Sequence, residues 1–305
     1  MSPPLVSVGI PAYDRPAELE RAVRSALAQD LRNLEVLVSD DASPDPAVAA
    51  TGERLAAEDP RVRFVRQPAN LGHAANYRWV AEHARGEYFM WLSDDDRIDP
   101  RYVGRCLEVL RSDPATRLVC GLARYHRGAE NVVDERRTDL VARRPGARVA
   151  RYFSRVNMNG PLFGLSLRSD RLAVPFAEVA GGDWLVVAGH AALGAVRTLP
   201  DVHVHRSMGG LGSDPERLAR SFGFEGWLAR HHHVWVAAHL WREIAAGRGA
   251  FARLGRTPRL CTATLSAIAI LVRFPVVDAL RGLGLQPLER QAIAFVRRRD
   301  AENAR

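Results

Sequence analysis

The sequence predicts an α/β protein, a mostly parallel β-sheet flanked by helices, followed by a helical C-terminal extension. Three observations carry that prediction. Four short apolar, β-branched runs open the chain at 5–10, 34–38, 62–65 and 88–92, and their starts are 29, 28 and 26 residues apart. Each interval between them is helix-patterned and long enough for the crossover that parallel strands require. The charge is also segregated: residues 1–215 carry 28 Arg against 28 acidic residues, and residues 216–305 carry 15 Arg against 7. The whole formal charge of +8 therefore lies in the last 90 positions, and the predicted boundary separates a sheet-based domain, 1–215, from a basic helical extension, 216–305.

Taken in order, the run at 5–10 reads as a buried strand. Asp14 is placed to cap the next helix, Pro16 sits near its first turn, and Leu19, Ala22, Val23, Ala26 and Leu27 form an apolar stripe. The second helix, 46–57, is Ala-rich and stops before Asp59-Pro60; the third, 73–84, stops at Arg85-Gly86. The fourth strand runs into Ser93-Asp94-Asp95-Asp96. Later, 159–167 reads as a loop and a strand, Gly181-Gly182-Asp183-Trp184 opens an apolar helix over 185–193, and Val202-His203-Val204-His205 alternates as a strand with both histidines on one face. The longest apolar stretch, 262–272, falls short of the ~20 residues of a spanning helix and reads as a buried or surface-lying helix.

Composition narrows the function. At 305 residues, 47% hydrophobic and 26% charged, the chain can bury a sizeable core. All 43 basic residues are Arg, which excludes lysine Schiff-base chemistry, the Walker A lysine and lysine-dependent kinases. The first strand leads to Gly9-Ile10-Pro11-Ala12-Tyr13-Asp14, without the G-x-G-x-x-G turn of dinucleotide enzymes. Cys106, Cys120 and Cys261 are widely spaced, so neither a disulfide framework nor a zinc ribbon is indicated; with no signal-peptide pattern at Met1, the expected location is the cytoplasm. A neutral first two-thirds gives no support to a nucleic-acid partner.

In an open α/β sheet, ligands bind at the carboxyl ends of the strands. Here Ser39-Asp40-Asp41-Ala42-Ser43 follows the second strand and Ser93-Asp94-Asp95-Asp96 the fourth. Five carboxylates at one edge repel one another unless neutralised. A divalent cation bridging phosphate oxygens is the simplest neutraliser, because Mg²⁺ and Mn²⁺ take carboxylate and phosphate oxygens. The competing reading is that these aspartates cap helices.

Val6-Ser7-Val8-Gly9-Ile10-Pro11-Ala12-Tyr13, Val36-Leu37-Val38-Ser39-Asp40-Asp41-Ala42-Ser43, Asn70-Leu71-Gly72 and the run from Gly86 to Asp96 occur in the order and spacing of family-2 glycosyltransferase motifs. The chain resembles that family over roughly residues 5–110. The resemblance implies the GT-A fold, with its Rossmann-like sheet, and metal-assisted, inverting transfer from a nucleoside-diphosphate sugar, UDP or dTDP, to a hydroxyl acceptor. It further implies that Pro11 and Tyr13 line the base pocket, that Ala12 and Ser93 belong to the donor-binding residues, and that Asp41 accepts a hydrogen bond from a uracil-type imide. Asp94 would reach the ribose. Asp95, in the DXD-like element Ser93-Asp94-Asp95, would hold Mn²⁺ or Mg²⁺, with Asp96 in support; Ser93 departs from the usual first acid. Asn76-Tyr77-Arg78 replaces a frequent Arg-Asn pair after the NLG turn, and Asn76 and Arg78 are assigned to donor binding.

For the second half the resemblance implies an acidic general base on the acceptor side, usually written ED. Gly182 replaces the first acid, and Asp183 is the expected base, against the alternative of a plain helix cap. His205 is expected to complete the metal shell or Arg206 to clasp the diphosphate, with the glycine-rich 207–213 as a lid or an ordinary connection. The C-terminal extension, with Trp227, Trp235, Trp241, 262–272 and Arg297-Arg298-Arg299, is expected either to pack or dimerise or to touch the inner face of a membrane. Saccharide, glycolipid and natural-product acceptors all stay open. The rivals are a non-catalytic nucleotide-sugar-binding scaffold and a nucleotidyltransferase.

Overall fold

The computed structural model describes residues 3–127, 131–156, 159–174, 181–207 and 231–282, with positions 176, 179, 223 and 225. In chain order the elements are β1 (Val6–Ala12), α1 (Pro16–Leu27), β2 (Leu34–Asp40), α2 (Pro46–Glu58), β3 (Val62–Arg66), α3 (His73–His83), β4 (Tyr88–Trp91) and β5 (Arg97–Ile98). They continue with α4 (Tyr102–Ser112), β6 (Thr116–Arg127), β7 (Asn131–Asp134), α5 (Pro145–Phe153), β8 (Ser166–Leu167), α6 (Arg168–Ala173), α7 (Gly182–Leu193) and β9 (Ala195–Ser207). Two helices follow, α8 (His232–Ala246) and α9 (Arg256–Gly282).

The four strands expected from the apolar runs pair in parallel in the order β3-β2-β1-β4, and β8 adds an antiparallel edge to β4. All residues of β1 and β2 are buried, which is why they read as continuous apolar runs rather than alternating ones. On α1, Leu19, Ala22, Val23 and Ala26 face the core as the stripe predicts. Asp14 does not cap it: its backbone is left-handed, φ 59°, and its N–H goes to Ser43 Oγ at 2.9 Å. The fixed φ of Pro16 at the first turn starts α1 instead. Asp45 does cap α2, accepting from Ala47 N at 2.8 Å.

A second sheet, β5-β9-β6-β7, stands beside the first. The alternating 202–205 segment is the end of β9, which has 13 residues and runs parallel to β6. Its register jumps from Gly121↔Leu199 to Leu122↔His203, lifting Pro200 out of the ladder. That proline hides the full strand from a pattern reading.

One core joins both sheets to the C-terminal helices. At Gly146 in α5 a Cβ would lie 2.4 Å from Thr262 of α9, and at Gly181, before α7, it would lie 3.0 Å from Val236 of α8. The extension is therefore packed against the segment that carries Asp183. Residues 208–213, Trp227, the boundary at 215 and Arg297–Arg299 lie outside the described residues.

Candidate functional site

The parallel strands bring the ends of β1, β2 and β4 to one edge. Pro11 and Ala12 are the last, buried residues of β1. Tyr13 follows, donating its N–H to Asp94 Oδ2 at 2.9 Å while its side chain stays exposed. Ser93 shares a 2.8 Å hydrogen bond with the Tyr77 hydroxyl. Arg15, which the motif reading did not single out, bridges two acids: its Nη1 lies 3.1 Å from Asp94 Oδ1 and 3.0 Å from Asp95 Oδ2. From the second sheet, Arg206 reaches Asp96 Oδ2 at 3.0 Å and the Tyr125 hydroxyl at 3.2 Å, with its guanidinium 4.4 Å from the Phe163 ring centroid.

Burial dominates the acids of this edge. It pushes Asp94 up to about 6, opposed by the Tyr13 N–H and Arg15 and reinforced by Asp95. Asp96 is likewise pushed up to about 6 by burial, against the pull of Arg206. For Arg206 burial works against the charge, but Asp96 and Tyr125 more than offset it and its pKa rises.

The five acids thus meet arginines and backbone amides, which neutralise them in part alongside the cation expected from the sequence. Asp40 is paired with Arg66 at 3.0 Å and also accepts from Ser43 N, which makes it a support of the β2 turn. Asp41 accepts from Leu71 N at 2.6 Å and Gly72 N at 3.1 Å, fixing the Asn70-Leu71-Gly72 turn, where Gly72 takes φ 85°. An uracil-type imide would have to share a carboxylate already held by two amides.

Three expected residues are placed elsewhere. Asn76 is buried and spent on Ser39, accepting from its Oγ at 2.6 Å and donating to its carbonyl at 3.0 Å, so it pins α3 to β2 rather than facing a donor. Arg78, two positions on, is exposed on the outer side of α3. His205 has both ring nitrogens engaged, Nε2 with Asp99 at 2.8 Å and Nδ1 with His126 at 3.0 Å. It lies opposite Arg97 on β5, the metal role expected with Asp95 would require breaking one of these two bonds, and His203 joins the same Asp99 at 3.0 Å.

Asp183 lies in the first turn of α7 but is not its cap, which is Gly181 in a left-handed conformation, φ 80°. Its Oδ2 accepts from Asn159 Nδ2 at 2.8 Å, and Asn159 Oδ1 accepts from the Tyr152 hydroxyl at 2.6 Å. Asn159 is itself left-handed, φ 56°, a conformation Asn tolerates better than most residues. Burial raises the Asp183 pKa above the ordinary carboxylate range, while Asn159, the first backbone N–H groups of α7 and the Arg206 charge pull the other way. Arg206 thus pairs with Asp96, and its charge also acts on the Asp183 carboxylate. Neither Tyr152 nor the orienting role of Asn159 was legible beforehand; the Asn159-Gly160 pair, a turn signal, was the only clue.

The Asp94–Asp95 pair fits a divalent cation. Its oxygens are hard ligands, and a positive group, the Arg15 guanidinium, already bridges them. Among the described residues no group of three or more His, Cys, Asp or Glu is arranged to hold a metal by itself.

Residues 7–169 match the model of Glycosyl transferase family 2. The chain belongs to that family. It is 40% identical over 111 residues to a chondroitin synthase of Escherichia coli, covering 36% of this chain and 16% of that protein. It is also 34% identical over 96 residues to the GalNAc(5)-diNAcBac-PP-undecaprenol beta-1,3-glucosyltransferase of Campylobacter jejuni subsp. jejuni serotype O:2, covering 31% of each. The matched region thus spans well under two thirds of these relatives. Among solved structures, S. aureus TarS 1–349 superposes with TM-score 0.53 at 16% identity, covering 90% of this chain and 82% of that one. The mannosyltransferase PcManGT of Pyrobaculum calidifontis, in complex with GDP-Man and Mn²⁺, superposes with TM-score 0.54 at 19% identity, covering 92% and 79%. These likenesses establish the GT-A fold.

Proposed function

We propose that this protein transfers a sugar from a nucleoside-diphosphate donor, UDP or dTDP in type, to a hydroxyl acceptor with inversion, with Asp183 as general base. The carrying observation is the Asp183 carboxylate, oriented by Asn159 and raised in pKa by burial, at the first turn of α7. A base must be oriented and basic enough to take a proton as the acceptor oxygen attacks. Inversion follows from one displacement at the anomeric carbon.

Pro11, Ala12, Tyr13 and Asp41 border the nucleoside end of the site, with Ser93 and Asp94 between it and the diphosphate. Asp95, and Asp94 once Arg15 moves, would hold Mn²⁺ or Mg²⁺, which supplies charge stabilisation to the departing nucleoside diphosphate. Arg206 adds fixed positive charge on the leaving-group side. That solved relatives of the same fold carry UDP-GlcNAc, or GDP-Man with Mn²⁺, supports a nucleotide-sugar donor and a metal.

The test is Asp183→Asn. It preserves shape and the hydrogen bond from Asn159 but cannot accept the proton. The expected result is a loss of nucleoside-diphosphate release from the donor by about 10²–10⁴-fold with donor binding retained. Unchanged turnover would remove Asp183 from the role and favour the scaffold reading.

A further inference from the structure

We infer that the outward face of α8 and α9 is a membrane-contact surface that seats the protein on an anionic lipid leaflet. From 260 to 272 every exposed position of α9 is uncharged, and Leu265, Ile268 and Val272 are 57%, 49% and 61% exposed. At 100° per residue these positions sweep an arc of roughly 140°. The inward positions Ala263, Ser266 and Ile270 are fully buried, so the fold is secured by the other side of the helix. Trp241 of α8 extends the face: it is exposed, and its Nε1 donates to Thr264 Oγ1 at 3.2 Å, in the middle of the outward arc. Among the described residues, seven of the 13 exposed large apolar side chains belong to these two helices. A contiguous patch of this kind marks a contact surface.

Charge selects the occupant. Residues 231–282 carry seven Arg against Glu243 and Asp278; Arg242 on α8, Arg248 and Arg253 between the two helices and Arg256 at the start of α9 are exposed, with one acid, Glu243, shared between Arg242 and Arg248. A basic rim around an apolar centre complements acidic headgroups above hydrocarbon. A second copy would instead bring the same positive rim against itself. Among the described residues no helix is long and apolar enough to cross a membrane, so the contact is one of helices lying in the interface. Because Val236 of α8 packs at Gly181, ahead of Asp183, the lipid surface would lie behind the proposed base. Its bearing on the acceptor rests on the proposed function; the lipid contact itself does not.

Vesicle flotation of the full chain tests this, with phosphatidylcholine vesicles and the same vesicles containing phosphatidylglycerol, alongside nucleoside-diphosphate titration of the same samples. The expected result is flotation with the anionic vesicles, reduced at least about tenfold in a Leu265→Glu/Ile268→Glu variant, whose substitutions lie on exposed positions. Arg242→Gln/Arg256→Gln should lose the preference for anionic lipid and keep its fold, judged by thermal melting. Absence of the wild type from the vesicle fraction, or equal flotation of the Leu265→Glu/Ile268→Glu variant, overturns the inference. So does a dimer, seen by sedimentation equilibrium, that this variant dissociates without any vesicle binding. Loss of nucleotide binding in a protein that floats would overturn the proposed function alone.

Discussion

Arg15 holds Asp94 and Asp95 with one guanidinium, so a divalent cation that used both carboxylates would have to displace it. Arg15 is 45% exposed at its side chain, and follows the left-handed Asp14, so it can swing outward at little cost. Arg15→Gln is expected to bind Mn²⁺ about tenfold more tightly in the absence of nucleotide, as read by calorimetry; equal affinity would show that the arginine is no competitor. Asn159 makes a different prediction. Asn159→Gly keeps the left-handed backbone but removes both the hydrogen bond to Asp183 and the one from the buried Tyr152 hydroxyl, so it should lower turnover and cost about 1–3 kcal/mol of stability for the orphaned hydroxyl. Asn159→Ala should add about 1–2 kcal/mol of backbone strain, visible as an earlier denaturation midpoint. The pH dependence of Asp94 can be signed. Its folded pKa, about 6, lies above the unfolded value near 3.8, so the folded state holds the extra proton between those pH values. Its stabilising effect is full below the lower value and is lost as pH rises through the upper one. Relative to Asp94→Asn, the wild type should therefore gain about 1–3 kcal/mol in urea unfolding between pH 7 and pH 4, the opposite of an ordinary paired carboxylate.

At the scale of elements, the first half was legible because its signals are local. Each strand is an apolar run, and α1 and α2 start where Pro16 and Asp45 allow. The second half hid its structure for physical reasons. β5 has two residues, too few for any period, and Pro200 interrupts β9 so that only its end alternates, whereas the strand read in 159–167 is present as β8. Asp183 was found by its motif, yet its support was not, because Asn159 and Tyr152 reach it through a left-handed turn that sequence spacing does not reveal. Gly181 belongs to this scale as well. With φ 80° and Val236 3.0 Å from where a Cβ would sit, Gly181→Ala should cost about 1–2 kcal/mol and disturb the start of α7. An unchanged unfolding midpoint and unchanged turnover would show that the turn tolerates a side chain.

Across the whole molecule, the edge of the first sheet supplies Tyr13, Asp94 and Asp95, the second sheet supplies Arg206, and α7 supplies Asp183, with the C-terminal helices packed behind it. The carboxylate motifs marked the proposed donor side in the sequence. Two of their counter-ions did not show, because Arg15 and Arg66 differ from the other 41 arginines only in where the fold puts them, and Arg206 was expected at a diphosphate rather than at Asp96. The central claim is a nucleotide-diphosphate site built on Asp94 and Asp95. Calorimetric titration of UDP, dTDP and GDP into the wild type and Asp95→Asn, each with Mn²⁺ and again with EDTA, tests it most directly. The account predicts binding of UDP or dTDP that needs Mn²⁺ and is lost in Asp95→Asn. Binding that is indifferent to Mn²⁺ and to that substitution, or no binding at all, would contradict it.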